Sequence, residues 1–162
     1  MEVSKLKTGF QVIIILGLII GIGWFFLHPN NYVNNYFSVV GMPKRHLYKY
    51  AMEKYGEPDF IIPYGKGYTI AKHDGIEFVL LETKDATLDG SYVECVRIYN
   101  PEIKFGWRKI GVSSTREEIE RVYKRFKKIK EADCGYIDGL TWIEFYFDEE
   151  QKVNKIVIYC GP

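Results

Sequence analysis

The sequence has few of the residues from which catalytic sites are usually built. Among its 162 residues are three histidines and three cysteines, and HExxH, GxSxG, Walker glycine-loop and Cys-x-x-Cys motifs are absent. Metal-dependent hydrolysis, acyl transfer and nucleotide chemistry therefore lack their usual residues. We expect no catalytic residue, no cofactor and no metal site, and hence a protein that is not an enzyme.

An excess of charge of either sign is also missing. Lysine and arginine together number 22 and aspartate and glutamate 21, which gives a formal net charge of +1. A protein that binds nucleic acid through its phosphates needs a strong positive field, so we expect no nucleic-acid partner.

Cysteine is scarce, and its odd number limits disulfide formation. Cys95, Cys134 and Cys160 allow at most one bond within the chain. The predicted strand pairing places Cys134 and Cys160 two strand spacings apart, farther than the roughly 7 Å between Cα atoms that a disulfide tolerates. These two cysteines should therefore not bond, and a role as small buried hydrophobic residues fits all three.

What the sequence does contain is a long apolar run at 9–27. About 19 residues at about 1.5 Å each nearly span a hydrocarbon core of about 30 Å, so we expect a transmembrane helix there. The run is longer than the apolar core of a signal peptide and has no small-x-small cleavage site after it, which favours an uncleaved anchor. Gly17 and Gly21 would allow a weak homodimer of such helices.

The charges around this run predict an orientation. Lys5 and Lys7 precede it, and no lysine or arginine occurs at 30–41, so the positive-inside rule leaves the N-terminus in the cytoplasm. We therefore expect a cytoplasmic tail at 1–8, a single-pass anchor in the cell membrane at 9–27, a spacer at 28–38 and an extracytoplasmic domain at 39–162.

The periodicity of 39–162 predicts an α+β domain with the same order of elements twice, in units at about 41–100 and 110–160. In each unit a helix precedes three strands, and the strands form an antiparallel sheet with the helices on one face. The second helix begins at a capping box, formed either by Ser114 with Glu117 or by Thr115 with Glu118. Its apolar residues recur at helical spacing as far as Ile129.

Short motifs in this domain resemble a known superfamily. Tyr55-Gly56-Glu57-Pro58-Asp59 after the first helix, the segment 110–119 at the start of the second and the C-terminal hairpin resemble the β-lactamase-inhibitor-protein-like superfamily, which includes the SmpA/OmlA-type envelope lipoproteins. The resemblance implies an antiparallel sheet whose open face contacts other proteins, in binding modules that are not enzymes.

The strand predicted at 140–147 indicates such a face. Ile143 and Phe145 alternate with polar and aromatic residues, so one side packs inward and the other is free. Pairing Ile143 with Ile158 and Phe145 with Ile156 keeps the apolar residues of both strands together. This register places the candidate binding residues on the second face: Trp142, Glu144, Tyr146 and Tyr159. Two interpretations of them stay open, a surface that binds a protein partner and ordinary cross-strand pairs or a face covered by the segment that contains Trp107.

Two functions remain open from the sequence. The first is a membrane-anchored, non-enzymatic protein-binding module of the bacterial cell envelope, whose partner is an unidentified protein. The second is an inhibitor or immunity-type protein that sequesters one specific enzyme or toxin. A small anchored domain suffices for either function.

Overall fold

A computed structural model of the chain describes residues 15, 17, 18, 20, 21, 36–42, 47–81, 87–106, 108–138 and 141–160. The chain divides into two compact units, 1–31 and 32–162. In the first unit, the five described residues have helical backbone. The second unit contains the sheet and its core.

The structure contradicts the prediction of a transmembrane helix. Within the described part of the chain, no helix has the length and apolar character required to cross a membrane. Most of the 9–27 run lies outside the described residues. Gly17 and Gly21 are described, and a Cβ atom added to either would meet no other atom within 4 Å.

The described helices of the second unit are short. They are α1 (Tyr36–Val39), α2 (Lys49–Tyr55), α3 (Arg116–Tyr123) and one 3-10 turn (Leu88–Gly90). Helix α2 ends at Gly56, whose positive φ of 79° a glycine adopts without strain. Helix α3 begins at Thr115, which forms the capping box with Glu118.

Among the described residues, eight strands form one antiparallel sheet, in the order β1-β2-β3-β4-β10-β9-β8-β7. Their bounds are β1 (Phe60–Gly65), β2 (Tyr68–His73), β3 (Ile76–Leu81), β4 (Tyr92–Ile98), β7 (Lys127–Lys128), β8 (Gly135–Asp138), β9 (Thr141–Phe147) and β10 (Val153–Tyr159). A separate pair joins β5 (Lys104–Phe105) to β6 (Ile110–Gly111). Strands β1 to β4 and β7 to β10 are two meanders that meet where β4 pairs with β10.

The predicted fold class, an N-terminal transmembrane helix followed by two tandem helix-then-three-strand units, is wrong. The second unit is mainly an eight-stranded antiparallel sheet with short helices. The sequence interpretation missed β1, which contains Pro63, and β7, which lies where the helical spacing continued towards Ile129. Helix α3 ends at Tyr123, because the backbone of Lys127 and Lys128 pairs with β8 instead.

One face of the sheet carries the main core. Helix residues such as Ala51 and Ile119 are fully buried in the same apolar cluster as Phe78, Ile143 and Ile158 of the strands. The opposite face has a smaller cluster, whose buried members are Ile70, Val79, Cys95 and Val157. We refer to this second side as the open face.

Candidate functional site

The open face is clearest on β9. Ile143 and Phe145 are buried, whereas Trp142 and Tyr146 are 49% and 39% exposed. Because successive side chains of a strand point to opposite sides of the sheet, Trp142, Glu144 and Tyr146 share the open face.

Strand β10 extends this surface by one strand. The pairs across β9 and β10 are Trp142 with Tyr159, Ile143 with Ile158, Glu144 with Val157, Phe145 with Ile156 and Tyr146 with Lys155. The predicted register of these two strands is confirmed. It brings together all four residues proposed from the sequence: Trp142, Glu144, Tyr146 and Tyr159.

Tyr146 is held in place by its neighbours. Its hydroxyl donates a 2.8 Å hydrogen bond to Glu144 Oε2, and Lys155 Nζ lies 3.6 Å from the centroid of its ring. Burial, and then the hydrogen bond to Glu144, raise the pKa of Tyr146 to about 12. The hydroxyl therefore remains a protonated donor at neutral pH.

Strands β2, β3 and β4 supply a charged cluster on the same face. Glu77 contacts Lys72 Nζ at 2.7 Å and Arg97 Nη1 at 3.4 Å. The guanidinium of Arg97 also lies 5.4 Å from the ring centroid of Tyr64, which comes from the edge strand β1. The charges of this cluster thus pair with one another, and an aromatic ring covers the arginine.

Two grooves cross the open face and share part of their lining. The first has a volume of about 550 Å³, and its aromatic lining consists of Tyr64, Tyr68, Tyr99, Tyr146 and Tyr159. The second, of about 1080 Å³, includes Trp142. Tyr99, Tyr146 and Lys155 line both grooves, so the grooves adjoin on the open face, and the second extends beyond that face to Arg116, Asp133 and Gln151.

Sequence reasoning missed half of this surface. Arg97 lies on β4, and Tyr99 follows it directly. Both alternate with the apolar residues Val96 and Ile98, and this alternation would have placed Arg97 and Tyr99 on one face. Tyr64 gives no comparable signal, because its contact with Arg97 joins strands that are far apart in the sequence.

Cys95 and His73 lie on opposite sides of the sheet and do not form a nucleophile–base pair. Cys95 is buried beneath the face, and burial raises the pKa of its thiol to about 11, so it is not a thiolate at neutral pH. His73 lies on the covered side, with Nε2 2.7 Å from the hydroxyl of Tyr48. Cys95, Cys134 and Cys160 are all free. Among the described residues, no group of three or more His, Cys, Asp or Glu is placed to hold a metal ion.

The fold and this face together define an open-faced antiparallel sheet with a tyrosine-rich surface. No family model matches the chain, and no curated protein matches it either. Solved structures do show similarity. An extracellular protein containing an SCP domain from Bacillus anthracis has 15% sequence identity and a TM-score of 0.51, over 71% of this chain and 43% of its own.

Two further solved structures are more distant. A cysteine-rich secretory protein from Staphylococcus aureus has 12% identity and a TM-score of 0.47, over 71% of this chain and 44% of its own. A DUF4309 family protein, YjgB, from Bacillus subtilis has 13% identity and a TM-score of 0.45, over 82% of this chain and 95% of its own. The chain spans less than half the length of the first two proteins. At these identities the likeness concerns the fold alone, and the resemblance to the β-lactamase-inhibitor-protein-like superfamily stays a prediction.

Proposed function

We propose that this protein is a non-enzymatic module that binds a protein partner through the open face of its sheet. The observation that carries the proposal is the exposure of three large aromatic side chains on that face. Trp142, Tyr99 and Tyr146 are 49%, 40% and 39% exposed. Contiguous exposed aromatic surface of this kind is typical of interaction sites.

The physical character of the face suits protein recognition. Tryptophan and tyrosine bury a large area at a small cost in conformational entropy, because each has only two side-chain torsions. Tyr146 has already lost much of that freedom, since Glu144 binds its hydroxyl and Lys155 covers its ring. A partner would therefore meet a largely preformed surface.

The proposal includes a location outside the cytoplasm. The similar protein of B. anthracis is described as extracellular, and its likeness to this chain is at the level of fold. Fractionation of cells that produce the tagged full-length chain tests this part separately, and recovery of the chain with the cytoplasmic proteins would contradict it.

The binding function is tested by capture of the partner with matched variants. We expect Trp142→Ala to lower the affinity for the captured protein by at least about tenfold, as truncation of a central interface tryptophan does. Tyr92→Ala is the control, because Tyr92 is 55% exposed on β4 but lines neither groove. Circular dichroism checks that both variants fold.

Equal capture by the wild type and Trp142→Ala would contradict the proposed face. If the captured protein is an enzyme or toxin whose activity falls on binding of the wild type but not of Trp142→Ala, the module is an inhibitor of the immunity type. If its activity is unchanged, the module serves assembly or localisation.

A further inference from the structure

We infer that β1 is a second interaction site, through which two copies of this chain join edge to edge into a reversible dimer. In this dimer the two copies of β1 pair antiparallel about a two-fold axis at Ile62. The edge of the sheet makes this contact, whereas the proposed function uses the open face.

Strand β1 is exposed along its whole length, although its side chains are mostly apolar. Phe60, Ile61, Ile62 and Tyr64 are 67%, 54%, 41% and 57% exposed. The strand is an edge of the sheet, and among the described residues it pairs with β2 alone. An unpaired apolar edge associates readily with another chain, and proteins usually protect such an edge with charged side chains. Strand β1 has no charged residue, so this protection is missing.

The pairing of β1 with β2 leaves hydrogen-bonding groups free on the outer side of β1. Residues 60–63 pair one to one with residues 72–69, so their backbone groups point alternately towards β2 and away from it. Pro63 has no N–H, and its nitrogen therefore lies on the outer side. By alternation, the N–H and C=O of Ile61 lie on that side too, together with the C=O of Pro63.

These outer groups fit an antiparallel pairing of β1 with itself. With Ile62 on the two-fold axis, Ile61 of each copy lies opposite Pro63 of the other. The N–H of Ile61 then donates to the C=O of Pro63 across the axis, in both directions. Pro63 takes part as an acceptor, and its missing N–H removes a single bond from each copy.

The side chains of β1 are self-complementary in this register. Ile62 packs against Ile62 of the second copy, and Phe60 packs beside Tyr64 at either end. Aromatic, apolar, isoleucine, apolar and aromatic residues follow one another at 60–64, an order that is the same in both directions. A second copy matches this order by symmetry, whereas an unrelated strand matches it only by coincidence.

The charges at the two ends of β1 also select a second copy. Asp59 precedes the strand and Lys66 follows it, and both are exposed. In the antiparallel register Asp59 comes opposite Gly65 of the second copy, one residue from Lys66. Each end of the paired strands therefore brings opposite charges together, and this arrangement stabilises the antiparallel direction.

The opposite edge of the sheet does not offer such a contact. Strand β7 consists of two exposed lysines, and a short, charged strand resists pairing with another chain. Pairing of β1 with β7 of another copy would also leave an edge free at each end and continue into a filament. Pairing of β1 with β1 uses the same edge of both copies and closes as a dimer.

The size of the contact predicts a dimer that dissociates readily. A fully covered aromatic side chain buries about 150–250 Å², and Phe60 and Tyr64 are little more than half exposed. With the two isoleucines of each copy, the dimer removes several hundred Å² from water, within the range below about 1,200 Å² that transient complexes occupy. We expect a dissociation constant between about 1 µM and 1 mM.

The register also relates the dimer to the open face. Ile62 pairs with Ile70, a member of the open-face cluster, so Phe60, Ile62 and Tyr64 project on that side. Because these residues meet their own copies across the axis, both open faces lie on the same side of the joined sheets. The dimer thus presents two open faces to a multivalent partner, which raises the apparent affinity.

The test is sedimentation equilibrium of the purified full-length chain at several concentrations up to about 1 mM. We expect a reversible monomer–dimer equilibrium for the wild type. Ile62→Lys and Ile62→Glu should each stay monomeric, because like charges then face each other across the axis. An equimolar mixture of the two variants should associate at least tenfold more tightly than either variant alone, since the introduced lysine then faces the introduced glutamate.

A second pair of variants examines the hydrogen bond at Ile61. Ile61→Pro removes the outer N–H and keeps the groups that pair residues 60 and 62 with β2, so it should weaken the dimer at least tenfold. Ile61→Val keeps the N–H and an apolar side chain, and its dissociation constant should stay within about twofold of the wild-type value. Circular dichroism checks that every variant folds, and the Ile62 mixture decides alone if Ile61→Pro does not.

The outcomes separate the dimer from the proposed function. A wild type that stays monomeric at about 1 mM overturns the dimer, and so does a dimer that survives in Ile62→Lys and Ile62→Glu, because another surface then forms it. A mixture that does not associate overturns the two-fold register. If the wild type is monomeric and Ile61→Pro loses the captured partner, a strand of that partner occupies β1 instead. Trp142→Ala should dimerise as the wild type does, so loss of capture in that variant bears on the open face alone.

Discussion

Two tyrosines beside His73 differ in how their hydroxyl groups are satisfied. Tyr48 hydroxyl lies 2.7 Å from His73 Nε2. The hydroxyl of Tyr55 is buried, has no hydrogen-bond partner among the described residues, and has a pKa raised to about 12 by burial. A buried donor without a partner costs about 1–3 kcal/mol, whereas a formed hydrogen bond contributes about 1 kcal/mol.

The two phenylalanine substitutions should therefore act in opposite directions. Tyr55→Phe removes an unsatisfied group, and we expect it to raise the free energy of unfolding by about 1 kcal/mol. Tyr48→Phe breaks the contact with His73, and we expect a loss of about 1 kcal/mol. Urea denaturation measures both, and a destabilised Tyr55→Phe would show that its hydroxyl has a partner after all.

His73 makes the stability of the domain depend on pH. The side chain is 8% exposed, and burial lowers its pKa, a shift that Asp59 and Glu57 partly oppose. The unfolded chain then binds the proton at about pH 6.5, while the folded protein binds it only at a lower pH. The contribution of the neutral ring is complete above about pH 6.5 and falls as the pH decreases towards the folded pKa.

The expected result is a loss of unfolding free energy on acidification that His73→Gln does not share. Urea titrations of both proteins at several pH values between about 7.5 and 5, on either side of the ordinary histidine pKa, measure this loss. The difference between the two curves isolates the histidine from the carboxylates, which titrate in both proteins. Parallel curves would contradict the assigned shift.

Among the elements, helix α3 depends most clearly on its first residue. Thr115 Oγ1 accepts a 3.3 Å hydrogen bond from Glu118 N, and Glu118 Oε2 accepts a 2.9 Å hydrogen bond from Thr115 N. Ser114, the other candidate from the sequence, accepts instead from Gly111 N at 3.1 Å. With only eight residues, the helix has little intrinsic stability to replace a lost cap.

We expect Thr115→Ala to lower the free energy of unfolding by about 0.5–2 kcal/mol. Thr115→Ser keeps the hydroxyl and should retain most of the stability, which makes it the matched control. Thermal and urea unfolding measure both variants. Equal loss in the two would mean that the methyl group of Thr115, and not its hydroxyl, stabilises the helix.

The strands show which elements the sequence pattern predicts and which it does not. Alternation predicted β9 and β10 and their register, because one face of each is buried and a one-residue shift would expose Ile143 and Ile158. The same reasoning failed at β1, where every residue is exposed, and at β7, where pairing with β8 overrides a helical pattern. Local patterns identify a strand only where the two faces differ in environment.

At the scale of the whole molecule, one part of the open face can be predicted from the sequence and the other part cannot. Trp142, Glu144, Tyr146 and Tyr159 come from one hairpin, so their grouping follows from local register. The contribution of Arg97 and Tyr64 depends on the pairing of β4 with β10, which joins the two meanders. That pairing brings together segments far apart in the sequence, and periodicity carries no information about it.

The central claim, that a partner covers the open face, is tested most directly by hydroxyl-radical footprinting of the full-length chain in the cells that produce it. The oxidation rates of Trp142, Tyr99 and Tyr146, each divided by that of Tyr50, which packs on the covered side of the sheet, are compared with the same ratios in the purified protein. We predict ratios several-fold lower in cells, because the partner shields the face. Identical ratios in cells and in the purified protein would contradict the account.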